Sequence, residues 1–177
     1  MRAFAYALAA ALCAVPAVAA AQNPVSDALR SREQANARRL TAALETFPAD
    51  KFGYKPTPEQ MTVAAIAVHL AEGNDELCST VSGTAAPQRA KVGADASKEQ
   101  LMARLRETFD YCNTALAGLT DAQLGDSVPL FGGPRKATRA FMAFITSDDW
   151  SDHYSQLANY LRLNGMVPPS ARPRPNM

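Results

Sequence analysis

Residues 148–170 read DDWSDHYSQLANYLRLNGMVPPS. Asp149 and His153 are four positions apart, a spacing that sets both side chains on one face of an α-helix. Met142, Ile145, Asp149, His153, Leu157 and Tyr160 recur at three- and four-residue steps, which predicts a helix from about Lys136 to Leu163. Gly165 is a natural terminator, and Pro168 and Pro169 enforce the stop. A carboxylate and an imidazole thus fall on an apolar stripe, where each needs a partner or a ligand.

Three more helical segments precede this one. NPVSDALRSREQANARRLTAALETFP starts with Asn23 as a cap and Pro24 at the first helical position. Val25, Leu29, Leu40, Leu44 and Phe47 share its apolar face, and Asn36 interrupts it. TPEQMTVAAIAVHLAEGNDELCSTVSG offers Thr57, Pro58 and Gln60 as a capping box. Its stripe holds Ile66, His69, Leu70, Gly73, Leu77 and Val81, and Gly83 ends it. SKEQLMARLRETFDYCNTALAGLT repeats the pattern with Ser97 and Gln100 as a capping box. Its inward residues are Leu101, Leu105, Phe109, Cys112, Leu116 and Leu119. The connector TAAPQRAKVGADA is long for a simple hairpin and suits a crossover that leaves helices 2 and 3 parallel. No strand pattern stands out in PLFGGP or elsewhere. The fold class is all-α, a four-helix bundle with a long crossover between helices 2 and 3.

The 177 residues suffice for one domain with a real core. MRAFAYALAAALCAVPAVAAAQ has one basic residue, an apolar run and small residues at its end, the pattern of a secretory signal peptide. Cleavage is expected after Ala21, with Ala19 as the second choice; Leu12 argues against lipid attachment at Cys13. The expected organisation is a signal peptide at 1–21, a bundle at 22–170 and a loose tail at 171–177. The mature chain would be exported, in the bacterial periplasm, with no membrane anchor. Losing Arg2 brings the 18 basic residues level with the 17 acidic ones. No basic stripe remains to draw a nucleic-acid backbone, so the expected partner is a small molecule, or a second copy in a homodimer. Cys78 and Cys112 remain after cleavage, and an oxidising compartment makes a disulfide between them credible. Spacing leaves open whether they pair or stay as buried thiols.

His69 and His153 are the only histidines, and both fall on inward stripes. With Asp149 they make a candidate set of two imidazoles and one carboxylate. That set leaves coordination positions free and suits zinc, nickel, iron or manganese. The bland alternative is an Asp–His ion pair beside a satisfied core histidine. Asp152 and Glu72 are reserve candidates.

The architecture and the ending DWSDHYSQLANYLRLNGMVPPS resemble the DinB/YfiT-like superfamily of metal-binding four-helix bundles. Members of that superfamily commonly have a histidine late in helix 2 and an HxxxH pair in helix 4, and a subgroup ends close to HxxEHYGNxxxYLRxxGxVPPS. His69 matches the first ligand and His153 the last. Asp152, Tyr154, Gln156, Tyr160, Leu161, Arg162, Gly165, Val167, Pro168, Pro169 and Ser170 match or nearly match around them. Two positions depart from the pattern. Asp149 stands where the first HxxxH histidine would be, and Ser155 replaces a glycine. A carboxylate can still ligate, but makes the site harder and more anionic.

The resemblance implies a divalent-metal site of His69, Asp149 and His153, with Asp152, Tyr154 and Tyr160 as supporting candidates. It implies a metal-dependent hydrolase or thiol transferase whose catalytic residues are not specified. The alternative is a non-catalytic exported scaffold with a degenerate site. Parallel helices 2 and 3, as in the superfamily, would put Cys78 and Cys112 near one end of the bundle and favour a structural disulfide.

Overall fold

The computed structural model describes residues 22–173. The expected signal peptide at 1–21 and the last four residues of the expected tail lie outside that range.

The first helix, α1 (Pro24–Thr46), starts where Asn23 and Pro24 suggested, but its cap comes from far along the chain. The Asp121 carboxylate accepts the backbone N–H groups of Val25 (3.1 Å) and Ser26 (2.8 Å). Asn23 Oδ1 in turn accepts the Asp121 N–H at 2.9 Å. Two of the four orphan donors of the first turn are thereby satisfied. Leu29, Leu40, Ala43, Leu44 and Phe47 are buried, whereas Val25 is exposed and leaves the apolar face assigned to it.

Helix α2 (Val63–Ser82) begins six residues after Thr57, and its cap is Thr62, whose side chain accepts the Ala65 N–H at 3.0 Å. Thr57 and Gln60 instead close a turn. The start is decided by the preceding loop. The Tyr54 carbonyl takes the Val63 N–H and the Phe52 carbonyl takes the Ala64 N–H, at 3.1 and 2.9 Å. Gly83 ends α2 at φ 78°, a left-handed conformation that favours glycine.

Helix α3 (Lys98–Leu116) carries the Ser97/Gln100 capping box as read. A two-stranded hairpin follows, β1 (Ser127–Pro129) antiparallel to β2 (Lys136–Thr138), with Val128 opposite Ala137. These three-residue strands sit in the loop between α3 and α4 and leave the all-α bundle intact. They also move the start of α4 (Arg139–Leu163) from Lys136 to Arg139, where Thr138 accepts the Phe141 N–H. Gly165, at φ 73°, follows the last turn of α4.

The four helices form the expected bundle, and its directions can be read from side-chain contacts. Asn74 meets Thr108, and Cys78 meets Cys112, so α2 and α3 are parallel and the connector is a crossover. Arg139 reaches the Val81 carbonyl while Asn74 meets Trp150, so α2 and α4 are antiparallel. Arg30 bonds the Leu119 carbonyl and Arg106 pairs with Glu45, so α1 and α3 are antiparallel. Leu40, Leu44, Phe47, Ile66, Leu70, Leu101, Leu105, Leu116, Met142 and Leu157 are wholly buried between them. Each such side chain contributes on the order of 1.5–3 kcal/mol of transfer free energy.

One polar layer crosses this core. Trp150 is fully buried, and its indole N–H donates to Asn74 Oδ1 at 2.8 Å. Asn74 Nδ2 donates to Thr108 Oγ1 at 3.1 Å, and that hydroxyl donates to the Leu105 carbonyl. This hydrogen-bonded chain links α2, α3 and α4. No described helix is long and apolar enough to cross a membrane.

Candidate metal centre

The antiparallel pairing of α2 and α4 sets His69 opposite Asp149 and His153. His69 Nε2 is 3.3 Å from Asp149 Oδ1, and His153 Nε2 is 3.5 Å from the same oxygen. One ligand atom from each of the three residues lies within 4.8 Å of the other two. The two imidazole rings meet edge to face, with centroids 4.6 Å apart. All three sequence-predicted ligands are therefore brought together.

Their burial is uneven. The side chains of Asp149 and His153 keep 19% and 11% of their exposure, while His69 keeps 47%. His69 is thus not on the inward stripe as read from its spacing. It stands at the edge of that stripe, where α2 turns from the core towards α4 and solvent. The set has a protein side and a water side.

Asp149 carries the strain of the arrangement. Burial works to raise its carboxyl, but the His153 hydrogen bond and charge, followed by those of His69, outweigh burial and hold it below the ordinary value. For His153 burial pulls the imidazole down, and the Asp149 bond and charge more than reverse this, leaving it raised. Asp149 Oδ2 is buried with no hydrogen-bond partner. Gly73 stands over that oxygen, and a Cβ there would be 3.7 Å away.

A buried carboxylate oxygen without a donor is costly, and a cation would relieve it. Two imidazole nitrogens and a carboxylate converging on one point fit a divalent transition metal, with further positions open on the His69 side. The residues present fit such an ion.

The supporting candidates separate. The Tyr160 hydroxyl donates to the Met61 carbonyl at 3.1 Å and accepts from Gln156 Nε2 at 3.0 Å. Gln156 Oε1 then lies 3.0 Å from His153 Nδ1. Tyr160 thus reaches the site through Gln156, which the spacing argument did not single out. The signal was available, since Gln156 is three residues after His153 and four before Tyr160 on one helix. Tyr154 points elsewhere: its hydroxyl accepts the Ser170 N–H at 2.8 Å, and Arg39 lies over its ring. Asp152 is exposed and acts on His153 only through its charge. Glu72 is exposed and lines a different groove, beside Arg89 and Arg104. Cys78 and Cys112 form a disulfide with Cα atoms 5.3 Å apart, well away from the histidines along α2.

A trough of about 490 Å³ lies behind His153, on the Gln156 side of its ring, and none of the three candidate ligands lines it. Its walls combine the polar side chains of Gln60, Asp152, Ser155, Gln156, Asn159 and Tyr160 with the apolar Pro56 and Leu163. Gln156 belongs both to the trough and to the support of His153.

The DinB superfamily sequence profile matches residues 34–157. The chain belongs to the DinB superfamily. Solved structures share its fold at low identity. A DinB-like protein from Bacillus cereus superposes with a TM-score of 0.65 at 14% identity, over 81% of this chain and 95% of that one. A mycothiol-dependent maleylpyruvate isomerase gives 0.60 at 13%, over 75% of this chain and 60% of that one. The colibactin self-resistance protein ClbS, solved in complex with double-stranded DNA, gives 0.55 at 17%, over 78% and 95%. No curated protein matches in sequence.

Proposed function

We propose that this chain is an exported DinB-superfamily protein that holds one divalent metal ion between α2 and α4 through His69, Asp149 and His153. The observation that carries the reading is the Asp149 carboxylate: one oxygen faces two imidazoles and the other is buried without a donor. A bound ion supplies Lewis acidity, which lowers the pKa of a water or of a substrate thiol. Asp149 and His153 close the protein side, and half-exposed His69 leaves the other side reachable. This supports a metal-dependent hydrolase or thiol transferase. A thiol-dependent isomerase on the same fold favours considering thiols among the substrates. The second reading is a non-catalytic scaffold. Asp149 Oδ1 is near enough to both imidazoles for a proton on His153 to balance the charge without metal.

Elemental analysis of the purified mature protein separates the two. About one metal per chain, lost in both Asp149→Ala and His153→Ala, is the expected result. A chain that stays metal-free after reconstitution with zinc, nickel, iron and manganese would leave the scaffold. Export rests on the leader-like N-terminus, and the Cys78–Cys112 bridge supports an oxidising compartment. N-terminal sequencing of protein recovered from the periplasmic fraction should begin at Gln22; a first residue of Met1 would remove this part of the proposal.

A further inference from the structure

The hydrogen-bond chain behind His153 has one consistent placement of protons. The Met61 carbonyl can only accept, so the Tyr160 hydroxyl spends its single proton there. That hydroxyl must then accept from Gln156, which fixes the amide with Nε2 towards Tyr160. The Gln156 carbonyl oxygen is left facing His153 Nδ1 at 3.0 Å, and an acceptor at that position requires an N–H at Nδ1. A neutral imidazole has only one ring proton. In the neutral ring His153 Nε2, the atom 3.5 Å from Asp149 Oδ1, therefore presents a lone pair, whereas the protonated ring donates from both nitrogens.

We infer that Gln156, oriented by Tyr160 and the Met61 carbonyl, is a positioning residue that sets the tautomer of His153 so that Nε2 is free to ligate. The benefit to a metal rests on the reading in the previous section; the tautomer is a property of the metal-free chain. Asp149 alone would select the opposite form, because an N–H at Nε2 could donate a charge-assisted hydrogen bond to its carboxylate. That bond would occupy both ligand atoms with each other. The relay opposes this local preference from the far side of the ring. It is built from Gln156 and Tyr160 on α4 and a backbone carbonyl just ahead of α2, the two helices that carry the ligands.

The test is long-range proton–nitrogen NMR of metal-free, nitrogen-15-labelled protein, at a pH high enough to leave the rings neutral. The chain has two histidines, so His69→Asn assigns the His153 signals. Wild-type His153 should show the Nδ1–H form. Gln156→Leu should shift it to Nε2–H and weaken zinc binding by about 10- to 100-fold, the usual effect of losing a partner behind a ligand. Gln156→Glu restores an acceptor at Nδ1 and should keep the Nδ1–H form. Wild-type His153 in the Nε2–H form overturns the inference, as does a Gln156→Leu protein with unchanged tautomer. A wild-type chain with the Nδ1–H form that binds none of the four metals defeats the metal reading and leaves the tautomer assignment standing.

Discussion

Glu33 lies on the buried face of α1, 2% exposed, among residues that are otherwise mostly apolar. Burial pushes its carboxyl up to about 7; Arg38 nearby pulls it down and Asp110 adds to the rise. The folded chain therefore holds a proton that the unfolded chain releases near the ordinary value of 4.5. Stability from this position is highest below that value, falls as pH rises towards 7, and levels off above it. Glu33→Gln removes the ionisation while keeping the shape. Thermal unfolding should show the variant gaining about 1–3 kcal/mol over wild type at pH 8 and little at pH 4.5. An equal gain at both pH values would mean that ionisation is not the cause. Asp149 contrasts with Glu33, because its buried carboxyl has imidazoles beside it and is held low rather than raised.

At the scale of elements, the Trp150–Asn74–Thr108 chain joins α4, α2 and α3 through groups that have no water to fall back on. Asn74→Ala leaves the indole N–H without its acceptor and should destabilise the fold by about 1–3 kcal/mol in urea unfolding, with an added cavity cost. Trp150→Phe in the Asn74→Ala background should then cost less than it does alone, since the bond is already lost. Asn74 was invisible to the periodicity reading because an apolar stripe tolerates one polar position without losing its pattern. The same pattern made much of the fold legible. The bundle, the Ser97/Gln100 box, the stops at Gly83 and Gly165, and the parallel crossover all follow from spacing, capping chemistry and connector length. Thr57 attracted the start of α2 because its local signal is sound. The competing cap at Thr62 prevails through the Phe52 and Tyr54 carbonyls, a loop contact no local motif announces. The hairpin was missed because three-residue strands are too short for alternation to register. The three candidate ligands were found by their stripe and their resemblance, yet the exposure of His69 depends on how α2 is rotated against α4. Rotation is set by packing, and spacing alone gives it only coarsely.

Across the whole molecule, α2 is the helix most firmly tied. The disulfide joins it to α3 across 34 residues of sequence. Arg89 from the crossover pairs with Asp75 on α2 and lies within 3.9 Å of Glu107 on α3, and Arg104 bonds the Ala90 carbonyl. A loop of that length predicts about 3–4 kcal/mol of stabilisation from chain entropy. Cys78→Ser with Cys112→Ser should lower the urea midpoint accordingly, and reductant should lower wild type but not the double variant. If the metal-free bundle unfolds identically with and without reductant, the bridge contributes nothing to stability.

The distances along the chain also order its assembly. The α2–α3 contacts close loops of about 34 residues, whereas the hydrogen bonds that tie α1 to later elements span 53 to 126 residues, from Lys98 to Arg172. Loop closure grows costlier with length, though slowly, at roughly 0.6 kcal/mol per doubling. The difference therefore lies less in final stability than in timing. During synthesis α1 is the first helix of the bundle to emerge, and the aspartate that caps it is made nearly a hundred residues later. Until then the Val25 and Ser26 N–H groups lack the Asp121 acceptor. The earliest helix to be made is the one that must wait for the rest of the chain.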